Sequence, residues 1–160
     1  MTAGTRWDKC AVAEGEPLRV RFHPRSGESW TGAFTPGEGG ASGVFEHPDR
    51  RSAVVVSMGA AYVVDVDRAH VDALGSAIDT VLELPSRRLL VLSDGARLIF
   101  VGSDGVRSTR LLSRGGIRRV DSYGNEIHGE AWDPDEEAWH AFRVDLDTLE
   151  VSGGSYTPEP

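Results

Sequence analysis

The sequence predicts a mainly β fold, an antiparallel meander of about eight to eleven short strands with at most one short helix, forming a sandwich or a rolled sheet. Three observations carry this. Nineteen glycines and eight prolines punctuate the 160 residues, leaving only short apolar runs between them. Two segments, Ala53 to Asp67 (AVVVSMGAAYVVDVD) and Leu89 to Ser103 (LLVLSDGARLIFVGS), share one pattern at an offset of 36 residues, matching Ser57 with Ser93, Gly59 with Gly95 and Ala60 with Ala96. Several further segments alternate apolar with polar residues, the period of a half-buried strand.

Taken in order, Leu18 to Phe22 and Trp30 to Phe34 are strand candidates. Pro36 to Gly43 (PGEGGASG) reads as a flexible loop, and Val44-Phe45 opens the next strand. The two matched segments each read as a hairpin, apolar strand, glycine turn, apolar strand. Asp94-Gly95 suits a type I′ turn because both residues tolerate positive φ. VVV and LLVL are apolar without alternation, so these strands should be covered on both faces. Between the hairpins, Asp67 to Thr80 (DRAHVDALGSAIDT) places Val71, Leu74 and Ile78 at helical spacing behind a capping Asp67, and predicts up to two helical turns at about Arg68 to Leu74. Ile78 to Leu84, Val106 to Leu112, Ile117 to Asp121, Glu126 to Trp132, Trp139 to Leu146 and Leu149 to Ser152 complete the strands. Their turns are marked by Asp104-Gly105, Gly115-Gly116, Gly124-Asn125, the acidic run Asp133 to Glu137, and Asp147-Thr148. Length favours one domain over residues 1–160, with 1–17 and 153–160 as loose termini.

Residues 78–152 divide into two groups of four short strands, and RLLVLSDGARLIFVGSDG and FRVDLDTLEVSGG resemble the strands and turns of β-propeller blades. The WD and kelch signatures are missing. The longer string from WTGAFTPGEGGASGVFEHPDRRSAVVV to the closing VDL…SGG resembles uncharacterised bacterial all-β proteins with propeller-like hairpin repeats. That resemblance implies a propeller-like stack as a third form of the meander and assigns no activity and no site residue.

Charge is sorted along the chain. Residues 86–120 carry eight Arg and two Asp, a net of +6, whereas residues 121–160 carry eleven Asp or Glu and one Arg, a net of −10. Arg107, Arg110, Arg114, Arg118 and Arg119 form a basic stripe with few aromatics, and cross-strand pairing with the acidic segment is its plain reading. The net charge of −8 argues against general nucleic-acid binding, which requires cations to displace the counterions of phosphate. The same charge suits a basic protein partner. Cys10 is the single cysteine, so no internal disulfide forms and a reducing, cytoplasmic setting is expected. The N-terminus has no signal-peptide core and no segment has the apolar length of a membrane span.

Chemistry is sparse. The glycine-rich loop lacks the Gly-Lys-Ser/Thr and following helix of a phosphate cradle. His128-Gly129-Glu130 has the H-x-E spacing of zinc deaminases without the downstream cysteines. On a strand, His128, Glu130 and Trp132 share a face, and His128 and Glu130 with His140 form a candidate metal set for a hydrolase. Asp133, Asp135, Glu136 and Glu137 lack the EF-hand arrangement. Trp132 and Trp139 flank that acidic loop, and aromatics framed by charge are typical of interaction hot spots. The leading expectation is therefore a non-enzymatic protein-interaction module without a cofactor, of the immunity or antitoxin kind, binding a basic protein through Trp132, Asp133, Asp135, Glu136, Glu137 and Trp139. The alternatives are the metal-assisted hydrolase and a structural assembly subunit that self-associates through exposed β edges.

Overall fold

The structure is a computed structural model describing residues 6–10 and 15–156. It is almost entirely antiparallel β, in four meandering sheets, and the chain divides into two compact units, residues 1–78 and 79–160. Fifteen strands occur among the described residues, more than the eight to eleven expected. The strands not read from the sequence are the edge strands Trp7–Lys9, within the expected loose terminus, and His70–Gly75, within the expected helix. No helix among the described residues is long and apolar enough to cross a membrane.

In the first unit, β1 (Trp7–Lys9), β2 (Leu18–Phe22) and β3 (Trp30–Phe34) form one sheet, and β4 (Gly43–Glu46), β5 (Ser52–Ser57), β6 (Ala60–Asp65) and β7 (His70–Gly75) form a second. Alternation in LRVRF buries Val20 and Phe22 and leaves Arg19 and Arg21 exposed. These two residues and Phe34 pack on Ala53, Val55 and Val64 of the second sheet. Trp30 lies against Phe22 with ring centroids 4.5 Å apart and donates its indole N–H to Val66 O at 2.9 Å.

The expected helix at Arg68 to Leu74 is absent; the chain there turns and pairs as β7 along β6. Asp65 decides this. Its carboxylate accepts the amides of Asp67 and Arg68, and Ala69 then takes φ 52°, closing a hairpin instead of a helical turn. Asp67 caps nothing; it accepts the Arg25 amide at 2.9 Å and pairs with Arg6. That anchor also helps hold β1, so residues 7–9 are paired where a loose terminus was expected. Residues 1–5 and 11–14 of that terminus lie outside the described residues.

The glycine-rich loop is likewise pinned. The amides of Gly37, Glu38, Gly39 and Ala41 donate to the carbonyls of Ser57, Ser76, Met58 and Ile78, and Gly59 donates back to Ala41 O. A methyl group at Gly37 or Gly39 would overlap the backbone of Ser76 or Ile78, so the glycines serve close backbone approach.

In the second unit, β8 (Thr80–Leu84), β9 (Leu89–Ser93), β10 (Leu98–Gly102) and β11 (Gly105–Ser108) make the third sheet. The fourth comprises β12 (Ile117–Tyr123), β13 (Glu126–Asp133), β14 (Ala138–Asp145) and β15 (Val151–Gly153). A single 3-10 turn, Pro85–Arg87, joins β8 to β9. Val91, Leu98 and Phe100 of the third sheet pack with Ile127, Ala131, Phe142 and Val144 of the fourth around Leu112. The two four-stranded groups expected across residues 78–152 are these sheets, with the strand expected at Val106 to Leu112 ending at Ser108.

The first matched hairpin closes on its glycine as expected, whereas the second closes differently. Met58-Gly59, with φ of 42° and 88°, forms the two-residue turn with both residues at positive φ. In the second hairpin Ser93 pairs with Leu98, leaving a four-residue loop in which the Asp94 carboxylate accepts the Ala96 and Arg97 amides. At the C-terminal end, Ser155 and Tyr156 donate their amides to Leu112 O, and Arg110 reaches the carbonyls of Gly153 and Tyr156. The chain is thus held through residue 156; residues 157–160 lie outside the described residues.

Candidate interaction site on the fourth sheet

Strand alternation sorts β13 and β14 into two faces. Ile127, Gly129 and Ala131 point into the core with Val144 and Phe142, and His140, the partner of Ala131, lies half-buried at the loop end of that face. Glu126, His128, Glu130 and Trp132 point the other way with Asp145, Arg143, Ala141 and Trp139. Trp132 and Trp139 are therefore direct cross-strand partners, with ring centroids 5.2 Å apart and planes tilted by 56°. The backbone of Trp132 is fixed from both sides. Its amide donates to Gly116 O at 2.9 Å, and its carbonyl accepts the hydroxyls of Ser113 and Ser155 at 2.8 and 2.7 Å. Its ring lies across Gly115, where any side chain would collide with it.

Arg118 completes the aromatic cluster. Its guanidinium sits 4.0 Å from the Trp139 ring centre and its Nε donates to Glu130 Oε2 at 2.8 Å. Arg119, at φ 55° in the bulge between Arg118 and Asp121, reaches the same oxygen at 3.4 Å. Farther along the face Tyr123 stacks on His128 at 4.7 Å, and His128 Nε2 lies 2.7 Å from Glu126 Oε2. The basic and acidic segments thus meet across β12 and β13, as the charge pattern suggests; among the described residues their arginine–carboxylate ion pairs are Arg118 and Arg119 with Glu130 and Arg114 with Asp135.

The acidic loop is less available than its sequence implies. Asp133 Oδ1 accepts the amides of Asp135 and Glu136, shaping the turn, and Glu137 follows at φ 49°. Asp135 pairs with Arg114 at 2.5 Å. Glu136 Oε2 lies 2.9 Å from His140 Nε2, a nitrogen shielded from solvent and off-axis for a hydrogen bond. Glu137 is exposed, with no pairing partner among the described residues.

His128, Glu130 and His140 do not assemble. His140 shares the face of Ala131, opposite His128 and Glu130, while Glu130 is taken by Arg118 and Arg119. A different group converges: one ligand atom each from Asp133, Glu136 and His140 lies within 4.8 Å of the others. These three could hold a divalent cation by carboxylate and imidazole donors.

Sequence reasoning named Arg118 and Arg119 as a stripe paired with the acidic segment but missed their place on the tryptophan face, and it missed Tyr123, because strand register and the bulge that re-aims the arginines carry no local signal. It also missed a recurring turn. Asp65-x-Asp67, Asp133-x-Asp135 and Asp145-x-Asp147 each use the first carboxylate to accept the amides two and three residues on, with Ala69, Glu137 and Leu149 at positive φ at the fourth. That repeat was visible in the sequence.

No protein-family model matches the chain, and no curated protein matches it. Among solved structures it is similar to one described as the crystal structure of the eukaryotic initiation factor, at 13% identity and a TM-score of 0.42. The match covers 93% of this chain and 42% of the other, so the chain spans less than half the length of that protein. Likeness at this level bears on neither its fold nor its function.

Proposed function

We propose that the chain is a non-enzymatic protein-interaction module whose contact surface is the outward face of β12–β14 together with the acidic loop. The Trp132–Trp139 pair carries the reading. Two large rings stand half-buried on a sheet face, one seated on Gly115 with a doubly anchored backbone, the other under Arg118. Tryptophan and arginine are enriched at binding hot spots, tryptophan because its rigid ring buries a large area at small entropic cost and arginine because its planar guanidinium forks onto carboxylates and stacks on rings. The overall acidity and the unpaired Glu137 favour a basic partner, and complementary charge would speed the encounter. An immunity or antitoxin protein covering the basic site of a toxin is the concrete form of this reading.

The test is affinity capture from the source organism's lysate with wild type, Trp139→Ala and Glu137→Lys. One stoichiometric basic protein retained by wild type and lost with Trp139→Ala is the expected result. Retention by both variants would reject this face.

A second reading rests on Asp133, Glu136 and His140. If the chain is a metal-assisted hydrolase, its metal belongs there and not at His128, Glu130 and His140. Zn²⁺ or Mn²⁺ would then raise the melting temperature of wild type and leave His140→Ala unmoved, and no shift in either would dismiss it.

A further inference from the structure

We infer that the second unit carries a separate binding site for a small amphiphilic anion, a carboxylate, sulfonate or phosphate attached to an apolar body. The site is a cleft of about 690 Å³ at the outer end of the space between the third and fourth sheets. That volume lies within the range of small-molecule pockets.

The floor is apolar. Phe100 and Leu146, both buried, form its base, and Leu89 and Leu149 flank them. The rim is cationic, bearing Arg87, Arg88 and Arg107. Strand register explains one of these. Arg107 is the cross-strand partner of Phe100, so its side chain rises from the same face of the sheet, above the floor. Its neighbour Val106 points to the opposite face.

The 3-10 turn explains the others. Pro85 starts it, Arg88 ends it at φ 50°, and the Arg88 amide donates to Pro85 O at 3.1 Å. Glycine would take that conformation without steric cost, whereas arginine does so at some expense. The chain nonetheless places two consecutive arginines at this edge of the cleft.

Two aspartates also line the cleft, and they leave the arginines largely unmatched. Asp147 accepts the side-chain amide of Asn125 at 2.8 Å, and Asp104 sits in the two-residue turn closing Gly102 onto Gly105. Among the described residues, the Arg87 side chain donates to Gly124 O at 3.4 Å, and its charge also acts on Asp145. Among the described residues, neither the Arg88 nor the Arg107 side chain has an ion-pair or hydrogen-bond partner. Guanidinium groups so placed can fork onto an anionic head while the rings or alkyl chain of the same molecule cover Phe100 and Leu149.

This site is independent of the tryptophan face, and the two can fail separately. The probe is 8-anilinonaphthalene-1-sulfonate, an aromatic anion whose fluorescence rises on leaving water. Saturable one-to-one binding is expected, weakened by salt and weakened by roughly tenfold or more in the double variant Arg88→Gly/Arg107→Gln, as loss of charge-assisted hydrogen bonds implies. The parent 1-anilinonaphthalene, lacking the sulfonate, should bind weakly to both proteins. Amide shift changes should fall on residues 87–89, 102–107 and 146–149. Both substitutions are exposed and Arg88→Gly relieves a left-handed arginine, so the variant should melt with or above wild type. Absence of saturable binding, equal affinity in the double variant, or shift changes centred on Trp132 and Trp139 would overturn the assignment.

Discussion

The third and fourth sheets have the same four-strand meander and share one core, yet they use their faces differently. Every residue of β9 from Leu90 to Ser93 is buried, as is every residue of β10 from Leu98 to Val101. Along β13 burial alternates, with Ile127, Gly129 and Ala131 inside and His128, Glu130 and Trp132 half-exposed. LLVL and LIFV are sequences for a strand covered on both sides; EIHGEAWD is a sequence for a strand with one open side. One backbone plan can therefore supply a structural layer or a reading surface, and the choice lies in alternate side chains.

The sharpest way to break this comparison is to truncate inward and outward positions in both sheets. Phe142→Ala should cost about 3–5 kcal/mol and Leu92→Ala about 2–5 kcal/mol, since each empties a fully buried site. In the third sheet both members of an adjacent pair should be costly, so Val91→Ala should also destabilise well beyond the surface range. In the fourth sheet Arg143→Ala, next to Phe142 but facing out, should stay within about 0.5 kcal/mol. Urea denaturation reads all four. If Arg143→Ala matched Phe142→Ala, the open face would be covered and the comparison would collapse.

Gly129 sharpens the same point with a smaller effect. It faces the core opposite Phe142, and a methyl group there would run into the Phe142 ring. Gly129→Ala should destabilise by about 1–3 kcal/mol through overpacking. Pairing it with Phe142→Leu should recover part of the loss, and a purely additive double variant would show that the ring is not the obstacle.

The cluster on the open face should contribute less to stability than to binding. A double-mutant cycle on Trp132 and Trp139 should give a coupling of about 0.5–1.5 kcal/mol. Arg118→Ala should remove about 0.5–1 kcal/mol through the lost cation–π contact. A coupling near zero would mean that the rings merely share a face.

These positions also show what the residues themselves reveal. The β class, the hairpins at 53–67 and 89–103, the four-strand grouping and the Trp132–Trp139 pairing all follow from apolar runs and turn residues, whose information is local. The helix expected at Arg68 to Leu74 failed because Val71, Leu74 and Ile78 satisfy a helical period, while the Asp65 turn and the open edge of β6 decide the outcome. The loop at 36–43 reads as flexible because glycine is permissive. Its stiffness comes from the carbonyls of Ser57, Met58, Ser76 and Ile78, up to about 40 residues away. The metal set at His128, Glu130 and His140 failed for a related reason. Residue spacing within β13 fixes a face, but only the register with β14 shows that His140 lies on the other one. The acidic segment was legible as charge and misleading as surface, because Asp133 and Asp145 spend their carboxylates on backbone amides.

That last use of charge sets the smallest expected effect and separates the two sheets once more. The outer turn of the fourth sheet is built on Asp145. Amide hydrogen bonds from Thr148 and Asp147 hold its carboxyl below the ordinary range against an opposing desolvation, with the Thr148 side chain and Arg87 adding smaller lowering effects. In the third sheet the corresponding turn, Ser103-Asp104, closes Gly102 onto Gly105 without an aspartate accepting amides, among the described residues. A carboxyl whose folded value is lowered stabilises the fold when ionised. Its contribution is whole above the unfolded value near pH 4, and it fades as the pH falls through the folded value. Asn at position 145 keeps an oxygen acceptor for both amides but cannot ionise. Asp145→Asn should therefore melt slightly below wild type between pH 5 and 7, roughly the plateau of ordinary carboxylates, and the gap should close as the pH drops below about 4. Parallel melting curves for wild type and Asp145→Asn across the acid range would mean that the turn's amides do not depend on the charge, and this distinction between the sheets would be lost.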